Sequence, residues 1–209
     1  MRAVIFDLWD TLALWPADGF ESVKRSLSRH IDDFDRVWDT TYNARQEGPI
    51  EGYFRSLGLA DDVVAECVRL RLGFTRDALV PREGAIETLD ELQRRGFKRG
   101  LISVCSSDVE ELWEEAELAA HLDDFVLSCT VGLRKPDPRI YELACERLHV
   151  RPDECLFVGD GANDELAGAE RVGMHAVCVL PPGRDEPLWP EARGWEPTIR
   201  SLGDVLDLV

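Results

Sequence analysis

Four residues of this chain stand where a parallel sheet would put its chemistry. Asp7 follows the apolar run Ala3-Val4-Ile5-Phe6, and Ser103 follows Leu101-Ile102; Lys135 lies a few residues beyond Phe125-Val126-Leu127, and Asp160 comes one glycine after Cys155-Leu156-Phe157-Val158. These runs are short and β-branched and do not alternate with polar residues, as expected of strands buried on both faces. Ligands of such a sheet bind beyond the carboxyl ends of its strands. Two carboxylates, a hydroxyl and an ammonium are therefore expected to converge on one crevice. Carboxylates so placed repel unless a cation sits between them, and Mg2+ binds through a few carboxylates while keeping waters and a phosphate oxygen. The hydroxyl and the ammonium would hold the remaining phosphoryl oxygens. The expected chemistry is phosphoryl transfer to a carboxylate nucleophile.

The segment Val158-Gly159-Asp160-Gly161-Ala162-Asn163-Asp164-Glu165 sharpens this expectation. Glycines on both sides of Asp160 let the backbone approach a ligand closely, and Asp164 falls in the first turn of the next helix, where a negative charge suits the dipole. Lys135 also stands out because the chain has only two other lysines, Lys24 and Lys98.

The elements that must position these residues read as α/β. Beyond residue 80, strand-like runs, including Ala176 to Leu180, alternate with helical patterns such as Ile86, Leu89 and Leu92, or Ile140, Leu143 and Ala144. That alternation predicts a doubly wound parallel sheet. Residues 13–80 break it, because Phe20, Val23 and Leu27, then Val37 and Trp38, then Val64 and Val68 keep helical spacing. The expected organisation is an α/β core of residues 1–12 plus 81–209, with a small helical lobe of residues 13–80 and hinges near Pro16 and Pro81. The acidic stretch 108–124 reads as a solvated helix face and loop. Residues 181–197, rich in proline, read as an irregular surface segment before a short terminal helix through Ile199, Leu202, Val205 and Leu206.

Composition excludes several classes. The 209 residues carry 24 Lys and Arg against 41 Asp and Glu, a formal charge of -17 that repels nucleic acid and anionic membrane surfaces. No apolar run approaches the roughly 20 residues of a membrane helix. The 6 cysteines form no CxxC pair and read as small buried hydrophobes in a reducing compartment. A cytoplasmic protein, monomeric or homodimeric, acting on a small molecule is the expectation.

On these residues the chain resembles the haloacid dehalogenase superfamily. Phe6-Asp7-Leu8-Trp9-Asp10-Thr11-Leu12 is similar to its first motif, Leu101-Ile102-Ser103 to the second, Arg134-Lys135-Pro136-Asp137-Pro138 to the third, and Gly159-Asp160 through Asp164 to the fourth. The resemblance implies a Rossmann-like core with a helical cap inserted after the first strand. It implies that Asp7 forms an aspartyl phosphate and binds Mg2+ together with the Trp9 carbonyl. Ser103 and Lys135 would hold the phosphoryl group, and Asp160 would ligate the metal with support from Asp164.

The departures matter as much. Family phosphatases carry a second aspartate two residues after the nucleophile as general acid, and here that residue is Trp9; Asp10 stands one position later, as a candidate substitute. Loss of acid catalysis would slow turnover roughly 10²–10⁴-fold, least for good leaving groups. Dehalogenases of the same superfamily place an aromatic residue there and use the aspartate against halide without metal, which makes halide displacement the rival reading. Val104, where a polar residue commonly follows the second motif, and the missing acid also suit a phosphate-sensing or scaffold protein. A receiver domain uses an aspartate, a hydroxyl and a lysine as well, but the helical insertion and a nucleophile on the first strand argue against one. Arg45 and Arg55 in the cap are candidates to meet an anionic substrate.

Overall fold

In the computed structural model, which describes residues 1–46 and 48–209, six parallel strands form one sheet in the order β3-β2-β1-β4-β5-β6. They are β1 (Ala3–Phe6), β2 (Lys98–Ser103), β3 (Asp124–Leu127), β4 (Cys155–Gly159), β5 (His175–Val179) and β6 (Thr198–Ile199). β1 lies at the centre, with Phe6 opposite Leu101 of β2 and Val158 of β4. The chain is an α/β protein with the doubly wound layering its sequence predicts.

The period of two along each strand divides the core into two layers. Val4, Phe6, Leu101, Val158 and Val177 face one side, where they meet α6 (Ala85–Arg94), α7 (Ser107–Leu112) and the 3₁₀ turns of residues 202–207. Ala3, Ile5, Ile102, Phe157 and Ala176 face the other, against α9 (Pro138–Leu148) and α10 (Glu165–Arg171). Both faces of β1 are fully buried, which explains why its sequence is apolar throughout rather than alternating.

Between β1 and α6 the chain forms α1 (Ala17–Leu27), α2 (Phe34–Thr40), α3 (Tyr42–Arg45), α4 (Ile50–Ser56) and α5 (Asp61–Ala78). Their apolar faces bury a separate cluster around Leu27, Phe34, Ile50, Phe54, Val64 and Cys67. The insertion leaves and re-enters the core at adjacent points: Arg82 N donates to Leu12 O at 2.7 Å, and Ala13 bridges Pro81. A four-residue α8 (Ser128–Val131) follows β3.

The terminal region differs from its predicted helix. Ile199 pairs with Val179 as a sixth strand, and the turn after it is 3₁₀ over Leu202–Asp207. Edge pairing holds Ile199 extended, with Cys178 N donating to Pro197 O at 3.1 Å and Leu180 N to Ile199 O at 2.9 Å, and the Ser201–Asp204 capping box starts the turn three residues later. Among the described residues, no helix is long and apolar enough to cross a membrane.

Candidate active site

Asp7 stands one residue beyond β1, its N–H donating to Val158 O at 2.8 Å, so the sheet itself fixes the backbone of this carboxylate. Asp160 is placed likewise, one residue beyond the neighbouring β4. Lys135, in the loop before α9, reaches between the helical layer and the strand ends and donates to Asp7 Oδ1 and, at 2.5 Å, to Glu165 Oε2. All four side chains are buried.

Glu165 takes the position expected of Asp164, and the reason lies in the backbone. Asn163 and Asp164 both adopt left-handed conformations, with φ of 55°, before α10 begins at Glu165. That reversal turns Asp164 to solvent and brings Glu165 under the sheet end, where its Oε1 accepts from Gly161 N at 3.0 Å. Two glycines make room for this. A Cβ on Gly159 would lie 2.1 Å from Glu165 Oε1, and Gly161 has a φ of +92° that other residues rarely adopt. The assignment of Asp164 to the acidic cluster is thereby corrected to Glu165.

Asp7, Asp160 and Glu165 bring a carboxylate oxygen each to within 4.8 Å of one another. Three carboxylates against the single ammonium of Lys135 leave a formal excess of two negative charges in a buried site. Burial, above all, raises Asp7, Asp160 and Glu165 from their ordinary values, and the charge of Asp160 adds to the effect on Asp7. Burial works against the charged form of Lys135, but Asp7 and Glu165 outweigh it and its pKa is raised. Hard oxygen donors with two surplus negative charges fit a divalent cation such as Mg2+. Asp160 is held on both oxygens, Oδ1 accepting from Ala162 N at 3.0 Å and Oδ2 from Trp189 Nε1 at 2.6 Å. Trp189 comes from the proline-rich segment that reads as plain surface in the sequence; no spacing or periodicity marks it.

These residues floor a cavity of about 550 Å³ between the sheet and the cap. Trp9 and Asp10 line it beside Asp7. Asp10 adopts a φ of 55°, its Oδ1 accepts from Trp15 N at 3.1 Å, and burial raises its pKa. Trp9 packs edge-on against Trp15, ring centres 5.1 Å apart. Ser103 is fully buried at the end of β2 and does not line the cavity; Val104, Cys105 and Ser106 after it do. Its Oγ finds no hydrogen-bond partner, an orphaned hydroxyl directly behind that wall.

From the cap, Arg45 lines the cavity and is buried, its guanidinium 3.7 Å above the Trp38 ring. Arg55 does not line it: exposed, it pairs with Glu51 at 2.8 Å and Asp61 at 2.5 Å. A second buried cap arginine, Arg71, lines the cavity and donates to Asp108 Oδ2 at 2.7 Å. Arg71 and Asp108 escaped the sequence reading because a lone arginine and one member of an acidic run look solvated until the fold packs them together.

A carboxylate just beyond the first strand, a lysine bridging two carboxylates and a helical insertion over the sheet end make up a site of the haloacid dehalogenase type. Residues 1–173 match the family model for haloacid dehalogenase-like hydrolases, and the chain belongs to that family. It is 37% identical over 104 residues to the glyceraldehyde 3-phosphate phosphatase of Methanopyrus kandleri, covering 48% of this chain and 44% of that protein. It is 38% identical over 99 residues to the (S)-2-haloacid dehalogenase 4A of Burkholderia cepacia, covering 46% and 41%. The matches span less than half the length of these relatives. The crystal structure of 2-haloacid dehalogenase from Pseudomonas syringae pv. Tomato DC3000 superposes with a TM-score of 0.73 at 23% identity, over 100% of this chain and 97% of that one, a likeness of fold.

Proposed function

We propose that this hydrolase is a Mg2+-dependent phosphatase of a small phosphorylated metabolite, with Asp7 as the nucleophile. The observation that carries the reading is the buried cluster of Asp7, Asp160 and Glu165 around Lys135, whose surplus negative charge calls for a divalent cation. Mg2+ held by Asp7, Asp160 and the Trp9 carbonyl, with Glu165 behind them, would neutralise that charge and polarise the phosphoryl group.

The chain's own residues then have distinct tasks. Lys135 fixes the Asp7 carboxylate by a charge-assisted bond and presents positive charge where phosphoryl oxygens gather. Attack by Asp7 on phosphorus breaks the bond to the leaving oxygen and forms an aspartyl phosphate, which water cleaves in a second step. Asp10 is the proposed proton donor to the leaving oxygen, since it lines the cavity beside Asp7 and burial favours its protonated form. The orphaned Ser103 hydroxyl is a donor for a phosphoryl oxygen after a small shift of the Val104–Cys105 wall. The free cysteines suit a reducing, cytoplasmic setting.

Hydrolysis of acetyl phosphate and p-nitrophenyl phosphate, with Mg2+ or with chelator, tests the reading. Turnover should require Mg2+ and vanish in Asp7→Asn; undiminished activity in that variant would sink the mechanism. One observation favours a second reading, halide displacement: Trp9 occupies the position of the usual second aspartate and joins an aromatic wall with Trp15. Halide release from a 2-haloacid that persists in chelator would replace the phosphatase reading with that one.

A further inference from the structure

The cavity has two ends of opposite charge. At the cap end two guanidinium groups, Arg45 and Arg71, are 4% and 5% exposed. Arg45 has no carboxylate partner among the described residues; it donates to the Trp38 carbonyl and, at 3.2 Å, to Thr41 Oγ1. Arg71 has one, Asp108, while its Nε and Nη1 find no acceptor. Asp39 also lines the cavity but is exposed. Among the described residues, the buried part of this end therefore carries one uncompensated positive charge and donors without acceptors.

Such an arrangement is costly in the free protein. Unpaired buried donors lose their hydration without return, and two like charges against a common cavity repel. Aromatic faces offset part of the cost, with Arg45 stacked on Trp38 and Arg71 5.4 Å from the Phe74 ring centre. Stacking does not supply an acceptor, however. A single negative charge with lone pairs to spare does, and a carboxylate matches the surplus of one where a phosphate dianion would exceed it.

We infer that the cap end, built by Arg71 and Arg45, is a carboxylate subsite, so that the substrates are phosphorylated carboxylic acids whose carboxylate is held across the cavity from Asp7. The inference rests on the phosphatase reading for the reacting end of the substrate, but the subsite is testable without turnover. Asp108 acts here as a positioning residue, holding Arg71 by Nη2 against the cavity wall.

Two measurements separate the subsite from the phosphatase reading. In chelator, tryptophan fluorescence follows titration with propionate, with propionamide as its neutral analogue, and with inorganic phosphate. Propionate should give a saturable change through Trp38 and propionamide none; a response to phosphate but not propionate overturns the carboxylate assignment. The response to propionate should be weakened in Arg71→Lys and in the paired variant Arg71→Gln/Asp108→Asn, which removes both buried charges together and leaves Arg45, and lost when Arg45→Gln is added to that pair. With Mg2+, 3-phosphoglycerate should exceed glycerol 3-phosphate in kcat/KM by about tenfold or more, the worth of one charge-assisted hydrogen bond, carried mainly by KM. With Arg45→Gln added to the paired variant that preference should fall toward unity. If no phosphate ester turns over yet propionate binds, the phosphatase reading fails and the subsite stands. If esters turn over without preference and propionate does not bind, the subsite is wrong and the arginines are structural.

Discussion

Replacing Glu165 by glutamine and, separately, Asp164 by asparagine sets two neighbouring acids against each other. Glu165 is fully buried and both of its oxygens accept, from Lys135 Nζ at 2.5 Å and from Gly161 N at 3.0 Å. Glutamine has nearly the same shape but one acceptor, so its amide nitrogen must face either an ammonium or a backbone N–H. Loss of a charge-assisted bond and the orphaning of one donor together cost about 1–3 kcal/mol. If the loss falls on the positioning of Lys135 and Asp7 in the transition state, kcat/KM drops by about 5- to 150-fold. Asp164 is exposed, caps nothing with its side chain, and has a φ of 55° that asparagine adopts readily. Its replacement should stay within about 0.5 kcal/mol, or roughly twofold. The assay is the Mg2+-dependent hydrolysis of acetyl phosphate, with circular dichroism to establish that each variant folds. Equal losses, or a greater loss in Asp164→Asn, would refute the assignment of the acidic cluster.

Mg2+ at a hundred times its dissociation constant should stabilise the chelated protein by about 2.7 kcal/mol, raising the melting temperature by roughly 5–10 °C, and Asp160→Asn should abolish the rise. Trp189→Phe removes the donor to Asp160 Oδ2 and should weaken Mg2+ binding about tenfold by the same melting titration; unchanged affinity would strip Trp189 of its role. Burial pushes the Asp123 carboxyl up, but the Arg99 side chain and N–H outweigh it and hold the pKa below the usual 3.8. A depressed folded value adds stability above the unfolded pKa that is lost as pH falls through the folded one, so acid unfolding below about pH 4 should be shallower in Asp123→Asn; an identical acid limb would dismiss the pair.

Asp7, Lys135 and Asp160 were legible in the sequence because each comes after a strand whose apolar run has no other reading, and a parallel sheet gathers the residues at its carboxyl ends along one edge. Glu165 was not, for a local reason: two successive left-handed residues, Asn163 and Asp164, delay the helix, and no helical register reveals such a reversal in advance. Trp189 was hidden differently. Its segment has no repeating structure, and it reaches Asp160 because the chain is pinned just beyond it, by the buried Ala192 and then by the pairing of β6 with β5. Arg45 was legible only as a candidate for an anionic substrate, alongside Arg55, which the fold leaves exposed; Arg71 was not singled out, since its burial depends on Asp108, 37 residues on.

The cap contacts sit beside the chemistry, and polar pairs accompany the apolar packing of Trp15 on Trp9 and of Leu72 on the core. Across the cap–core boundary, Arg71 and Thr75 of α5 meet Asp108, Ile50 N donates to Ser107 Oγ at 2.8 Å, and Arg134 meets Asn43. Asp108 is wholly buried in this arrangement. Were the cap held by apolar contacts alone, lifting it would expose hydrophobic surface at about 25 cal/mol per Å² with no return. Ionic and hydroxyl partners instead regain hydration as they part, so separation costs far less than the bonds appear to be worth. The hinge is equally economical, because Leu12 and Arg82 bond each other where the chain leaves and re-enters the core, while Asp7 stays anchored to β4. A cap that pivoted on this connection would leave Asp7 in place and would part the Arg71–Asp108 pair that walls one end of the cavity.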